Sequence, residues 1–269
     1  MRVASVGHVL FAATMVGVGI MGLVQGHFAP VWSPVSNGVP AREALVYLCS
    51  LVSLACGTAL LWQRTAAPAA RVLLACLLLW LVVFRLPYLI LTPSLDAFWS
   101  AGETAAMLAG AWVLYSWFAT EWDRRHAGFI AGDKGLCVAR VLFGAALIIF
   151  GAGHFIEPQH TAELVPGWLP WHVAFAYFTG SAFIAAGVGV ITGVYARLAA
   201  ALVTVEMGTF LVLVWVPILA AGSRGAFDWS ETIVTWALIA GAWVVADSYR
   251  GTPWLAAWRT RVTRQDHVG

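Results

Sequence analysis

Apolar runs of about 20 residues recur along nearly the whole chain, separated by short charged or Pro-rich breaks. At about 1.5 Å of rise per residue such a run matches the hydrocarbon core of a bilayer, where only helices and closed barrels satisfy their own backbone hydrogen bonds. Composition agrees, with 61% hydrophobic residues, 10% charged residues and a mean hydropathy of +0.83. An ordinary soluble domain carries about 25% charged residues, so this chain has too few to cover a water-facing surface. It reads as an all-α membrane protein whose main partner is the lipid bilayer. A net charge of +2 gives no basis for nucleic-acid binding. Arg2 and the run behind it have the outline of a signal peptide. The same run is matched by an internal one, so it is read as a retained helix. Cys49, Cys56, Cys76 and Cys137 form no C-x-x-C pair and read as buried thiols, with neither a redox nor a zinc motif.

The runs predict eight transmembrane helices, at 6–28, 43–62, 71–92, 98–120, 136–155, 173–193, 197–221 and 229–248. The densest charge, "EWDRRHAGFIAGDKG" at 121–135, separates four spans from four. The expected organisation is a degenerate four-helix repeat at 1–120, a cytoplasmic linker at 121–135, a second repeat at 136–248 and a basic tail at 249–269. His27 and His154 both stand in Gly-His-Phe; Pro40, Tyr47 and Gly57 recur as Pro170, Tyr177 and Gly187; Pro87 matches Pro217; "GAWV" occurs at 110–113 and 241–244. Ordered matches of this kind point to duplication. With four spans per half, the two bundles are parallel repeats related by an axis along the membrane normal.

Lys and Arg set the orientation. Arg2, Arg64, Arg71, Arg124, Arg125, Lys134, Arg140, Arg197, Arg250, Arg259, Arg261 and Arg264 fall on one side; Arg42, Arg85 and Arg224 lie on or near the other. The positive-inside rule places both termini in the cytoplasm. Trp32, Trp168 and Trp171, in the two long outer loops, read as interface anchors, and the basic tail with its tryptophans as resting on the inner lipid surface.

Ionisable side chains within spans are costly and are therefore the candidate functional residues. His154 lies 14 residues beyond Arg140, and Arg85 14 beyond Arg71, which puts both about 21 Å from the inner side. His27 is expected at the same depth. Glu103 and Glu231 fall about one or two turns below the outer starts of their spans. These five residues are candidates to line an outward-opening pocket. Arginine and histidine would donate to the carbonyls of a quinone or another flat lipophilic ligand, and the carboxylates would exchange protons with it. Axial ligation of haem iron by the two histidines is a variant that two matching histidines signal only weakly. The competing structural reading has each histidine closing its helix against loop carbonyls while the glutamates accept from Arg85 or loop amides. Glu206 stands nine residues past Arg197, about 14 Å in and close to mid-membrane. It is expected to be protonated, or paired with Arg85 or a histidine. Glu157, His160 and Glu163 read as a solvated loop face. Nucleotide-binding, hydrolase and metalloprotease motifs are missing from the sequence.

"ARVLFGAALIIFGAGHF" (139–155), "LVPGWLP", "YFTGSAFIAAGVGVITG" and "ARLAAALV" resemble the DoxX-like family of four-helix bacterial membrane proteins. Arg140, Gly144, Gly151, His154, Phe155, Pro170, Tyr177, Gly180, Gly187 and Arg197 carry the resemblance, over about 136–248. The first half looks like a degenerate copy. The resemblance implies a compact four-helix bundle per repeat in a bacterial inner membrane. Some members of the family are associated with quinone reduction, so it also implies a lipophilic ligand such as a quinone and a possible soluble redox partner. Many members have a glutamate in the second helix, where this chain has Ser181 and Ala182. The expectation is an accessory membrane subunit that binds a lipophilic small molecule. A quinone-linked oxidoreductase and a small-solute or proton-coupled transporter are the alternatives.

Overall fold

The computed structural model describes residues 4–222 and 225–257, and all regular structure among them is helical. In chain order the elements are α1 (Val6–Gln25), α2 (Arg42–Leu60), α3 (Ala66–Trp80), α4 (Leu86–Leu91), α5 (Leu95–Phe118), α6 (Glu121–His126), α7 (Gly128–Ala131), α8 (Asp133–Ile156), α9 (Pro158–Glu163), α10 (His172–Thr192), α11 (Ala196–Phe210), α12 (Val216–Ala220) and α13 (Ala226–Asp247). Arg2, Arg224, Arg259, Arg261 and Arg264, which entered the orientation argument, lie outside the described residues.

Two helices are interrupted without being broken. A π-helical turn at Leu81–Arg85 joins α3 to α4, and another at Leu211–Trp215 joins α11 to α12, 130 positions later. Each is followed by a proline, Pro87 or Pro217, near the start of the next segment. Proline has no N–H to give the preceding turn, and its ring crowds the carbonyl four residues back. Widening one turn to i→i+5 bonding absorbs both defects.

Among the described residues, seven helical stretches are long and apolar enough to cross a membrane: Val6–Gln25, Arg42–Leu60, Ala66–Leu91, Asp133–Ile156, His172–Thr192, Ala196–Ala220 and Phe227–Asp247. The long helix outside this group is α5. It has 24 residues, ample for a span, but Asp96, Glu103 and many small residues lower its hydropathy. Every residue from Thr104 to Tyr115 is buried. A helix shielded by its neighbours on all faces has no need of a lipid-facing stripe.

Small residues fix how the helices meet. A Cβ built on Gly187 would lie 2.6 Å from the Gly144 carbonyl oxygen, and one on Gly144 2.8 Å from that of Gly187, so α8 and α10 are in backbone contact. Between α1 and α2, a Cβ on Gly57 would come within 2.7 Å of the Val16 nitrogen. Such close approach lets helices associate where lipid removes the hydrophobic drive. In the middle of the molecule α5 packs on α8 and α13 on α1, while α5 and α13 also meet each other. There Gly110 faces Gly241, whose Cα would be 3.2 Å from a Cβ on Gly110.

Three sequence expectations need correcting. The first span ends at Gln25, because Gly26 takes the left-handed conformation (φ 66°) and its N–H caps the Gly22 carbonyl. The segment 121–135 is no plain linker: it holds α6, α7 and the start of α8, with a capping box between Thr120 and Asp123. Trp32 is no interface anchor, being only 1% exposed. The loop after α1 folds inward with Phe28, Ala29, Val31 and Trp32 buried. The Trp32 indole donates to Ser53 Oγ at 2.9 Å, and Trp80 donates to the Trp32 carbonyl at 3.1 Å. Trp168 and Trp171 are 71% and 80% exposed, as anchors at an interface require.

Candidate functional site

Arg85 closes the first π turn and is 1% exposed. Its Nε donates to Thr104 Oγ1 at 2.9 Å, its Nη1 to the Pro34 carbonyl at 2.6 Å and its Nη2 to the Ser33 carbonyl. All three nitrogens are taken up by neutral acceptors. The sequence reading had Arg85 lining a ligand pocket; it binds the inward-folded loop to α5 instead. That use gives the two loop carbonyls, on half-buried Ser33 and exposed Pro34, charge-assisted donors.

Glu103 stands beside Thr104 on α5 and interacts electrostatically with Arg85, Glu231 and Asp96, though no ion pair forms between it and Arg85. Glu231, on the first turns of α13, interacts likewise with His160 and Asp96. The His160 ring on α9 also lies tilted against Trp99, with ring centroids 6.2 Å apart. Glu103 is thus within electrostatic reach of both Arg85 and Glu231. The cavity there, lined by Val31, Glu103, Met107, Val234, Ala237 and Leu238, has about 10 Å³. That is room for one water at most, against about 300 Å³ or more for a small-molecule pocket.

The two Gly-His-Phe histidines are not brought together in matching places. His27 lies past the end of α1 and is exposed. His154 lies within the last turn of α8, where its Nδ1 pairs with the Phe150 carbonyl at 2.8 Å and its ring packs on Phe183 at 5.5 Å. Backbone contacts explain the mismatch. A Cβ on Gly19 would meet the Ser50 carbonyl and the Leu54 nitrogen; one on Gly151 would meet the Gly180 carbonyl and the Ile184 nitrogen. Gly19 and Gly151 therefore occupy equivalent places, and three residues further on Gly22 stands where His154 does. The matched depth on which axial haem ligation rested is absent. Glu206 is half-buried on α11, one turn before the second π turn, and has no hydrogen bond or ion pair among the described residues. The alternative of a pairing with Arg85 or a histidine is not realised.

Two buried ionisable residues escaped the sequence reading. His8, 1% exposed, accepts from the Ala4 N–H at Nδ1 (3.4 Å), which leaves Nε2–H to donate to the Leu60 carbonyl at 3.0 Å. It is a neutral link between the starts of α1 and the end of α2. Asp123, fully buried on α6, accepts from Arg71 Nε (2.9 Å), Tyr115 (3.1 Å), the Thr120 N–H (2.9 Å) and the Thr120 hydroxyl (2.6 Å). Burial alone would raise its pKa, but these donors outweigh it and hold the carboxyl well below the usual carboxylate range. A serine-or-threonine-x-x-acid pattern before a helix was the available signal, in "TEWD" at 120–123.

A ligand-sized space lies elsewhere. A groove of about 480 Å³ runs between α2 and α3, open to the surface and lined by apolar residues from Leu51 to Ala59 and from Pro68 to Val72, with Thr65 at its end. A family model described as a domain of unknown function (DUF8561) matches residues 143–246, from within α8 to within α13. No curated protein and no solved structure matches the chain.

Proposed function

We propose that this chain is a non-catalytic accessory membrane protein that holds a lipophilic molecule, built as two four-helix units of the DoxX-like type with eight spans in a bacterial inner membrane. The two π turns 130 positions apart support the duplication. So does Gly110 against Gly241, since these residues open the two "GAWV" segments and self-meeting of equivalent positions is the mark of a two-fold axis. Counting α5 as the eighth span puts both termini in the cytoplasm, in line with the Lys and Arg distribution. One observation carries the functional reading: the cavity beside Glu103 has only about 10 Å³, whereas the apolar α2–α3 groove has about 480 Å³. Space for a ligand and chemistry able to transform one are in different places. A quinone headgroup would want donors that the groove lacks, because Thr65 Oγ1 already bonds the Ala59 and Trp62 carbonyls.

The test is an absorption spectrum and mass spectrometry of co-purified lipophilic molecules for protein in mild detergent, wild type against His154→Ala. The expected result is a retained lipophilic molecule, no chromophore and no difference between the two proteins. A chromophore lost with His154→Ala would overturn the non-catalytic reading in favour of a redox subunit. Transport is the second reading, favoured by the unpartnered Glu206 near mid-membrane. Glu206→Gln abolishing a pH-driven flux in proteoliposomes would establish it.

A further inference from the structure

The α2–α3 groove is open for a reason that can be read from its counterpart. In the second half, α10 and α11 close on one another: a Cβ on Gly189 would lie 3.0 Å from the Val194 carbonyl oxygen and 3.3 Å from the Ala199 Cβ. The residues 130 positions earlier are Ala59 and Ala69, both lining the groove. An alanine in place of Gly189 adds the methyl that keeps the pair of helices apart. The second half is also covered at its turn by the chain itself. Tyr195 N–H donates to the Ala256 carbonyl at 2.8 Å, Arg197 Nη1 donates to the Thr252 carbonyl at 2.9 Å, and the Arg197 guanidinium lies 4.0 Å over the Trp254 ring. At the α2–α3 turn, Trp62 is 69% exposed, and Arg64 is exposed with no hydrogen bond or ion pair among the described residues.

We infer that this groove holds one acyl chain of an anionic phospholipid, with Arg64 at its mouth taking the phosphate. The inference rests on the accessory, ligand-holding reading above and names the ligand class. From Leu51 to Ala59 the groove wall runs about 12 Å along α2, a length suited to an acyl chain within one leaflet. Its walls are apolar throughout, and its only polar residue, Thr65, stands at the end nearest Arg64. Trp62 beside that end is placed as an interfacial residue, so the mouth lies at headgroup level. An unpaired cation at headgroup level above an apolar slot is complementary to a lipid that is negative at one end and hydrocarbon at the other.

The experiment uses the full chain in phosphatidylcholine vesicles containing a minority of phosphatidylglycerol, with a photoactivatable diazirine in the acyl chain of one lipid or the other. Cross-linked peptides are mapped by mass spectrometry for wild type, Arg64→Gln and Ala59→Trp. The expected outcome is adducts on Leu51, Val52, Ala55 and Val72 that favour phosphatidylglycerol by about five-fold, the contribution of one basic residue at an anionic headgroup. Arg64→Gln, a surface change, should bring that ratio to about one, and Ala59→Trp should fill the groove and remove the adducts. Equal labelling by both lipids that Arg64→Gln leaves unchanged would overturn the anionic-lipid assignment. A different lipophilic molecule that co-purifies and survives Ala59→Trp would overturn the groove while leaving the accessory function standing. Adducts spread evenly over all lipid-facing helices, with nothing retained in detergent, would overturn both.

Discussion

Asp123 shows how one side chain can join three helices. Its carboxylate takes donors from Arg71 on α3, Tyr115 on α5 and Thr120 at the cap of α6. Asp123→Ala would strip those donors of their acceptor, and a loss of about 2–3 kcal/mol is expected, held down because Arg71 is 41% exposed and can turn to water. Thermal unfolding in detergent would measure it. The sign with pH follows from the depressed carboxyl. Its stabilisation is complete above the ordinary carboxylate range, declines as pH falls below about 4, and is gone once pH passes the lower folded value. Wild type should therefore lose stability on acidification more steeply than Asp123→Asn, and parallel acid profiles would refute this. Arg85 makes the complementary case, a buried cation serving backbone carbonyls. Arg85→Gln is expected to cost about 2–4 kcal/mol by leaving the Ser33 and Pro34 carbonyls short of donors. The loop 26–41 should then become sensitive to protease in otherwise intact protein. The sequence singled out Arg85 as a charge within a span but could not reveal its partners, because nothing in "APVWSPVSNGVP" marks a loop that turns inward.

At the scale of elements, periodic hydrophobicity made most helices legible, since a bilayer imposes both length and composition on each span. What it could not convey is how helices end and meet. His27 and His154 look equivalent because each follows glycine and precedes phenylalanine, yet Gly26 terminates α1 in a left-handed conformation while α8 runs on through His154 to Ile156. Register is fixed by backbone contact between small residues, and a sequence match of three letters carries less weight than those contacts. The reciprocal pair Gly144 and Gly187 makes the point testable. Gly187→Leu should drive α10 away from α8 and destabilise the protein by more than about 3 kcal/mol, with loss of a monodisperse profile in detergent. The same change at Gly17, which has nothing within 4 Å of a built Cβ, should be tolerated, within about 0.5 kcal/mol.

On the scale of the whole molecule, everything turns on α5. By composition alone it is the least membrane-like of the long helices, and by burial it is the most central, packed against α3, α8 and α13. These facts have one cause. A helix whose middle is enclosed by neighbouring helices does not need an apolar surface there, but it does need small, closely packing residues. A span count by hydropathy therefore passes over a long helix that its neighbours cover. The parity of the count has a sharp consequence for topology. Trp62 follows α2, Phe129 follows α5 and Trp168 follows α8, and they are 69%, 60% and 71% exposed. With α5 crossing, Trp62 and Phe129 lie on one side of the membrane and Trp168 on the other. Without it, Phe129 moves to the far side and Trp168 joins Trp62. Single cysteines at these three positions in a cysteine-free background, labelled with an impermeant maleimide before and after permeabilisation, separate the two cases. Labelling of Trp168→Cys in intact cells, with Trp62→Cys and Phe129→Cys reacting only after permeabilisation, is the expected pattern. It would give the same parity to both halves, as two parallel four-helix units require. Any pattern in which Trp62→Cys and Phe129→Cys differ would remove α5 from the membrane and the duplication argument with it.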